Sequence, residues 1–506
     1  MNGYLGLILT GHVPYLRSAD RDPHGEEALH ETIAQAIVPT LNALFDLREL
    51  GLQPSLALAY SPLLLEQLSD NVVQKHFVVW MERWLARLQH DLAYWEAAGE
   101  AHRVYLARFY LDWGQGVLRS FVDRYGRNLV AALRELCDEG ILEPLAGPAT
   151  HAYLPLLGRA ESIQAQIDVG LFTCTRQLGR RPRGFWLPEC GYSPALDQRM
   201  LASGLRYIIV DSSSLPAGAD ITHLRPRWIH ARRLALYTRD EAAMEQIWSP
   251  ELGYLGDPLY RAPRRDPRSG VALWRAGGAG APEALYDPYD AFLRAREHAA
   301  HWVAYIAAEL EAFRAQHDRP GIALVPLEAE LLGRRWFEGP TWLRAILEEF
   351  ANHPTIALTA PAAYLRSYRP RQGTTPREGS WGQAGDHRAW AGHAAWPIGQ
   401  AIGESEEWLA QLIRRHPHAR GERERVLAQA LRELLLAQSS DWPLLLNQGG
   451  GDEPLRRPAQ HLHRCERLCA LAEQAALSEA DRAFLEQVEE QDNPFPSLNY
   501  RVFAGT

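Results

Sequence analysis

At 506 residues and 46% hydrophobic, the chain exceeds one ordinary core and suits a large α/β domain followed by a smaller one. Its formal charge of -9 argues against nucleic acid as a partner, because phosphate binding wants a basic face. Lys75 is the only lysine, so there is no Gly-x-x-x-x-Gly-Lys phosphate loop and no Schiff-base lysine near any motif.

In chain order, the apolar run Tyr4 to Thr10 predicts a first strand leading into His12. It is short and has no basic region before it, unlike a signal peptide. Residues 26–50 have helical spacing, and residues 54–59 read as the second strand. Residues 62–140 carry apolar positions three and four apart, a long helical insertion before the next strand near Glu143 to Leu145. Further strands are expected at 184–187, 206–210, 321–326 and 355–359. Residues 215–285, rich in Pro, Gly and Arg, read as irregular loops; residues 288–316 read as a helix. Arg369 to Gly382 reads as a junction, and residues 400–490 are helical almost throughout. No apolar run reaches the roughly 18 residues that span a membrane. The five Cys include no Cys-x-x-Cys pair and read as free thiols of a reducing compartment. A cytoplasmic, monomeric, soluble protein without a membrane partner is expected.

The most informative segment is Gly184-Phe185-Trp186-Leu187-Pro188-Glu189-Cys190-Gly191-Tyr192-Ser193-Pro194. An apolar run stops at Pro188, a carboxylate follows, and Ser193-Pro194 offers a helix start. In a β/α barrel this places Glu189 at the carboxyl end of a strand, where such folds keep their chemistry. A solvated Glu at an ordinary strand–helix junction fits the same spacing. Asp211, closing the run Tyr207-Ile208-Ile209-Val210, is a second strand-end carboxylate. Three histidine pairs, His298/His301, His416/His418 and one near residue 462, have no Cys or Asp at ligand spacing and read as solvated, so no metal is expected.

The Glu189 segment resembles the nucleophile motif of glycoside hydrolase family 57, most closely that of its α-1,4-glucan branching enzymes. Gly11-His12-Val13-Pro14, Ala149 to Pro155 and Glu328 to Pro340 resemble the first, second and fourth motifs in order. Gly379-Ser380-Trp381-Gly382, Asp386 to Trp390 and Ser439-Ser440-Asp441-Trp442-Pro443 resemble elements of the C-terminal region. The resemblance implies an incomplete (β/α)7 barrel over residues 1–375, with the insertion at about 62–140, and an all-helical C-terminal domain over 376–506. It implies an α-glucan substrate such as amylose or glycogen, no cofactor, and a retaining mechanism with Glu189 as nucleophile and Glu328 as acid. His12, His151, Trp186, Asp211, Trp381, Trp390, Asp441 and Trp442 are implied to contact substrate, with Trp381 and Trp390 stacking on glucose rings.

The chain departs from this pattern around the acid. Residues 326–336 read Pro-Leu-Glu-Ala-Glu-Leu-Leu-Gly-Arg-Arg-Trp, so Glu328 stands where the family has Asp, Leu327 where it has Tyr, Arg334 where it has His and Arg335 where it has Trp. A cation beside Glu328 is expected to lower the carboxyl pKa, whereas an acid catalyst needs it raised. Glu330 is a spare acid. Gln35, Ala36 and Ile37 replace Glu, Thr and Tyr. The stretch from Asp211 to Asp240 looks shortened, removing a Tyr-tipped loop for which Tyr237 and Trp228 are not obvious substitutes. These departures leave a catalytically impaired glucan-binding paralogue, or a hydrolysing amylase or 4-α-glucanotransferase, open beside a branching enzyme of glycogen metabolism.

Overall fold

Among the described residues nine strands position the site: β1 (Gly3–Gly11), β2 (Leu56–Tyr60), β3 (Leu142–Ala146), β4 (Gly184–Trp186), β5 (Tyr207–Val210), β6 (Arg227–Ile229), β7 (Leu234–Thr238), β8 (Gly321–Glu328) and β9 (Ile356–Leu358). The computed structural model describes residues 1–18, 25–216, 222–231, 233–249, 251, 253–277, 284–382, 384–449 and 453–504. The sheet order is β6-β7-β5-β4-β3-β2-β1-β8, with β9 on β1. From β7 through β8 the strands run parallel, seven in all, while β6 lies antiparallel on β7. Among the described residues no strand pairing joins β7 to β8, so the barrel is incomplete. Two backbone bonds stitch the seam: Asp240 N–H to Leu324 O at 2.8 Å and Ile322 N–H to Leu224 O at 2.9 Å.

Alternation along the strands separates two cores. Ile8, Ala57, Ala59, Trp186, Tyr207, Ile209, Tyr237 and Leu324 fill the barrel. Leu5, Leu7, Leu9, Leu58, Phe185 and Val325 face the surrounding helices. Between β2 and β3 run helices Pro62–Ser69, Asn71–Ala98, Ala101–Arg119 and Leu129–Asp138. Ser61, Asp70 and Asn128 cap the first, second and fourth with side-chain oxygens. Asp287 caps the 29-residue helix Pro288–Gln316, whose bounds match the sequence reading.

One expectation fails. Residues 215–285 are not simply irregular, since they hold β6, β7 and the helix Glu241–Trp248. Leu234 to Thr238 is a strand-length apolar run, fully buried, but arginines and prolines around it hide it in composition. β7 supplies the seventh parallel strand, whereas β9 only touches Gly3 to Leu5 of β1.

After Pro361–Ser367 the chain builds helices Trp396–Arg415, Glu422–Ala437, Asp441–Asn447, Glu453–Glu473 and Glu479–Gln491. Their shared core, including Leu409, Leu427, Leu431, Leu468 and Val488, runs on into Tyr15, Leu63, Ala165 and Val169 of the barrel side. All five cysteines are buried and free. No described helix is long and apolar enough to cross a membrane.

Candidate active site

Because the barrel strands are parallel, their carboxyl ends meet at one face. His12 follows β1, His151 follows β3, Glu189 follows β4, Asp211 follows β5, Arg239 follows β7, and Glu328 is the last residue of β8.

Glu189 sits in a tight turn, Pro188–Cys190, with φ of 59°, and Cys190 follows at 52°. His151 has φ of 58°. Left-handed backbone at non-glycine residues is costly and is held only by its surroundings. Gly191 is needed there, since a Cβ would come within 2.5 Å of the Tyr153 ring. Ser193 does not cap the following helix, which begins as a short 3-10 turn, Pro194–Leu196. The segment Gly379 to Trp381 lies along the turn. Tyr192 and Gly379 exchange backbone bonds of 2.8 and 3.1 Å, and Trp381 N–H donates to Glu189 O at 3.0 Å. The Trp381 indole then donates Nε1–H to Glu189 Oε2 at 2.7 Å and meets Trp186 edge-on at 5.8 Å.

Burial raises the Glu189 carboxyl to about 7, with the charges of Asp441 and Glu330 adding to the rise and the Trp381 bond opposing it. Burial also raises Glu328, to about 8, helped by Glu330 and Glu189 and opposed by Arg335 and Arg239. The expected lowering by a neighbouring cation is therefore overturned. Arg334 turns away to Glu31, Nε to Oε2 at 3.3 Å, and neither Arg334 nor Arg335 forms an ion pair with Glu328. Glu330 is not a free spare acid, because its Oε1 accepts the His12 backbone N–H at 2.7 Å.

The two histidines stack, ring centroids 4.1 Å apart and planes 9° from parallel. His12 Nε2 lies 2.7 Å from Asp441 Oδ2, and its Nδ1 lies 2.8 Å from Ser61 Oγ. His151 Nδ1 lies 2.9 Å from Ser440 Oγ. Two stacked imidazoles do not both carry charge. Burial opposes charge on His12, but Asp441 outweighs it and raises the His12 pKa. Burial and the His12 charge push His151 well below its ordinary value. Despite its own burial, Asp441 is held near 2 by His12.

His12, His151, Glu189, Glu328, Trp381 and Asp441 thus share one site. The other predicted contacts lie beside or behind it, each already engaged with protein. Trp390 is 3% exposed and stacks face to face on Tyr153 at 4.5 Å, so one face is already covered. Trp442 is buried, with Nε1–H on Leu436 O at 3.1 Å. Asp211 is buried in an ion pair with Arg239 and accepts Ser213 N–H at 2.9 Å. Trp186 belongs to the barrel core. Sequence reasoning missed Arg239, whose guanidinium lies 5.7 Å from the Trp381 ring, together with Ser61 and Ser440. The only available signal for Arg239 was its place after the Leu234 to Thr238 run.

Among the described residues two groups could hold a metal, His223 with Asp240 and Glu309, and Glu433 with His461 and Asp492, both apart from the carboxylate pair. His461 is not solvated as expected. It is buried, Nδ1 2.7 Å from Glu433 Oε2, because the fold brings in carboxylates from other helices. His298 and His301 bond the hydroxyls of Tyr260 and Tyr254, each at 2.7 Å.

A parallel barrel with two buried carboxyls at its carboxyl face fits the family that the sequence matches: residues 6–375 match the model of glycosyl hydrolase family 57, and the chain belongs to that family. Residues 401–503 match the C-terminal model of 1,4-alpha-glucan branching enzymes. The chain is 33% identical to the 1,4-alpha-glucan branching enzyme TK1436 of Thermococcus kodakarensis, over 98% of this chain and 78% of that protein. Its fold matches the family 57 branching enzyme of Pyrococcus horikoshii with a TM-score of 0.92 at 32% identity, covering 99% of this chain and 97% of that one. It also matches the α-amylase AmyC of Thermotoga maritima, TM-score 0.88 at 26% identity, covering 100% and 99%.

Proposed function

We propose that this chain is a 1,4-α-glucan branching enzyme of glycogen synthesis in the cytoplasm, with residues 1–375 as catalytic domain and 376–506 as a helical domain that completes the site. The observation carrying this reading is the pair of buried carboxyls at the carboxyl face of a family 57 barrel, Glu189 held by the Trp381 indole and Glu328 left free of Arg334, both raised by burial. The Trp381 N–H on Glu189 favours its carboxylate form, and burial without such a donor among the described residues favours the protonated form of Glu328, the division of labour a retaining glycosidase needs.

Glu189 attacks the anomeric carbon of an α-1,4-linked glucose while Glu328 protonates the departing 4-oxygen. A covalent glycosyl-enzyme forms and the outgoing chain leaves. Glu328, now a carboxylate, takes the proton from the 6-hydroxyl of an acceptor glucan. That oxygen displaces Glu189 and makes the α-1,6 branch. His151, whose Nδ1 is taken by Ser440, keeps its Nε2 for a sugar hydroxyl, while His12, both nitrogens engaged by Asp441 and Ser61, stacks behind it and positions it. Trp381 supports the Glu189 carboxylate through its N–H.

Hydrolysis is the second reading. Tyr237, the only Tyr between Asp211 and Asp240, is 1% exposed and bonds Pro361 O from inside the barrel, so it does not shield the intermediate from water. Residues 217–221 and 232 of that stretch lie outside the described structure. Incubation with amylose followed by a debranching enzyme separates the readings. New short chains after debranching support branching, and reducing ends without branches support hydrolysis. Unchanged amylose contradicts both and leaves a binding protein.

A further inference from the structure

A second cleft lies between the helical insertion and the turn after β8, a cavity of about 250 Å³. Trp84 and Trp113 wall one side, meeting at 83° with ring centroids 5.9 Å apart, so two indole planes form a corner. Arg261, Arg265, Arg334 and Arg335 line it among neutral residues such as Gln35 and Tyr110, and Glu31 is the one carboxylate among the lining residues. Glu31 is shared by Arg265 and Arg334, and Arg261 is turned onto Gln35 Oε1 at 2.7 Å. Arg335 is exposed and makes no ion pair among the described residues. A chain of net charge -9 thus gathers a strong local excess of positive charge against aromatic walls. A neutral glucan does not call for that excess. A phosphoryl group does, because guanidinium forks match its oxygens.

We propose that this cleft binds a hexose phosphate, with the phosphoryl group on Arg265, Arg334 and Arg335 and the sugar ring in the corner of Trp84 and Trp113. The volume favours a monosaccharide, since pockets for larger ligands run to roughly 300–1,000 Å³. Arg335 also holds down the proton affinity of Glu328. A bound dianion neutralises that influence, and if Glu328 is the acid, the alkaline limb of activity moves upward. This consequence rests on the proposed function; binding itself does not.

Titration calorimetry on the full chain with glucose 1-phosphate, inorganic phosphate and maltotriose tests the proposal. Glucose 1-phosphate should bind at least about 10-fold more tightly than inorganic phosphate, and maltotriose should not displace it. The double variant R265Q/R334Q should weaken binding about 10-fold or more, whereas E31Q, which removes the opposing charge, should tighten it. Thermal melts establish that both variants are folded. Absent binding, equal affinity for inorganic phosphate, displacement by maltotriose, or a loss of affinity in a folded E31Q each overturns the proposal.

Discussion

Asp441, on the C-terminal helices, lies 2.7 Å from Nε2 of His12 at the end of the first strand, 429 residues away in sequence. Both side chains are largely buried, 9% and 19% exposed, so the contact holds charge on His12 at the site and couples the helical region to the barrel. Asp441→Asn removes a charge-assisted bond worth about 1.5–3 kcal/mol. The expected result is a kcat/KM lower by about 10–100-fold and a lower His12 pKa, read by NMR of the imidazole carbons. An unchanged His12 titration contradicts this account of the pair.

Trp381→Phe keeps the ring and deletes the N–H that meets Glu189 Oε2 at 2.7 Å. That bond opposes the rise of the Glu189 pKa to about 7, so its loss moves the value higher. With Glu189 as the proposed nucleophile, activity needs its ionised form, so the acidic limb of kcat/KM should shift to higher pH and kcat should fall about 10-fold. The alkaline limb, which the proposal gives to the raised Glu328, should stay in place. A shift of the alkaline limb alone would reverse the two assignments.

Glu328 also makes a stability prediction. Its folded pKa of about 8 lies above its ordinary 4.5, so the folded state holds a proton that the unfolded state has released. The stabilisation is fully present below about 4.5 and is lost as pH rises through about 8. Glu328→Gln should therefore melt close to the parent at pH 4.5 and at least about 2 °C higher at pH 9, with activity lost. A lower melting temperature at pH 9 counts against a buried, protonated Glu328.

Trp390 separates packing from sugar stacking. It is 3% exposed, with Tyr153 on one face. Trp390→Ala is expected to cost about 3–5 kcal/mol of stability, whereas Trp390→Phe should leave KM for amylose within about twofold. A large rise in KM for Trp390→Phe at unchanged melting temperature would restore the stacking role.

Local pattern made part of this legible. Gly184 to Pro194 carries its own strand, break and turn, so the place of Glu189 could be read directly. β7 could not, because Leu234 to Thr238 is short and follows arginines that dominate its composition. The direction of the Glu328 pKa was also out of reach. The neighbours in sequence are Arg334 and Arg335, but burial set by the barrel outweighs them, and Glu31, some three hundred positions earlier, takes Arg334. Exposure of Trp390 and the ion pair of Asp211 with Arg239 depend likewise on which surfaces meet after folding.

The most direct test is covalent trapping. The chain is incubated with a 5-fluoro-α-glucosyl fluoride, whose good leaving group needs little acid assistance and whose ring fluorine slows release, and is then digested and mapped by mass spectrometry. The account predicts a single glycosyl adduct on the peptide carrying Glu189, formed also in Glu328→Gln and absent in Glu189→Gln. An adduct on another residue, or one that persists in Glu189→Gln, contradicts it.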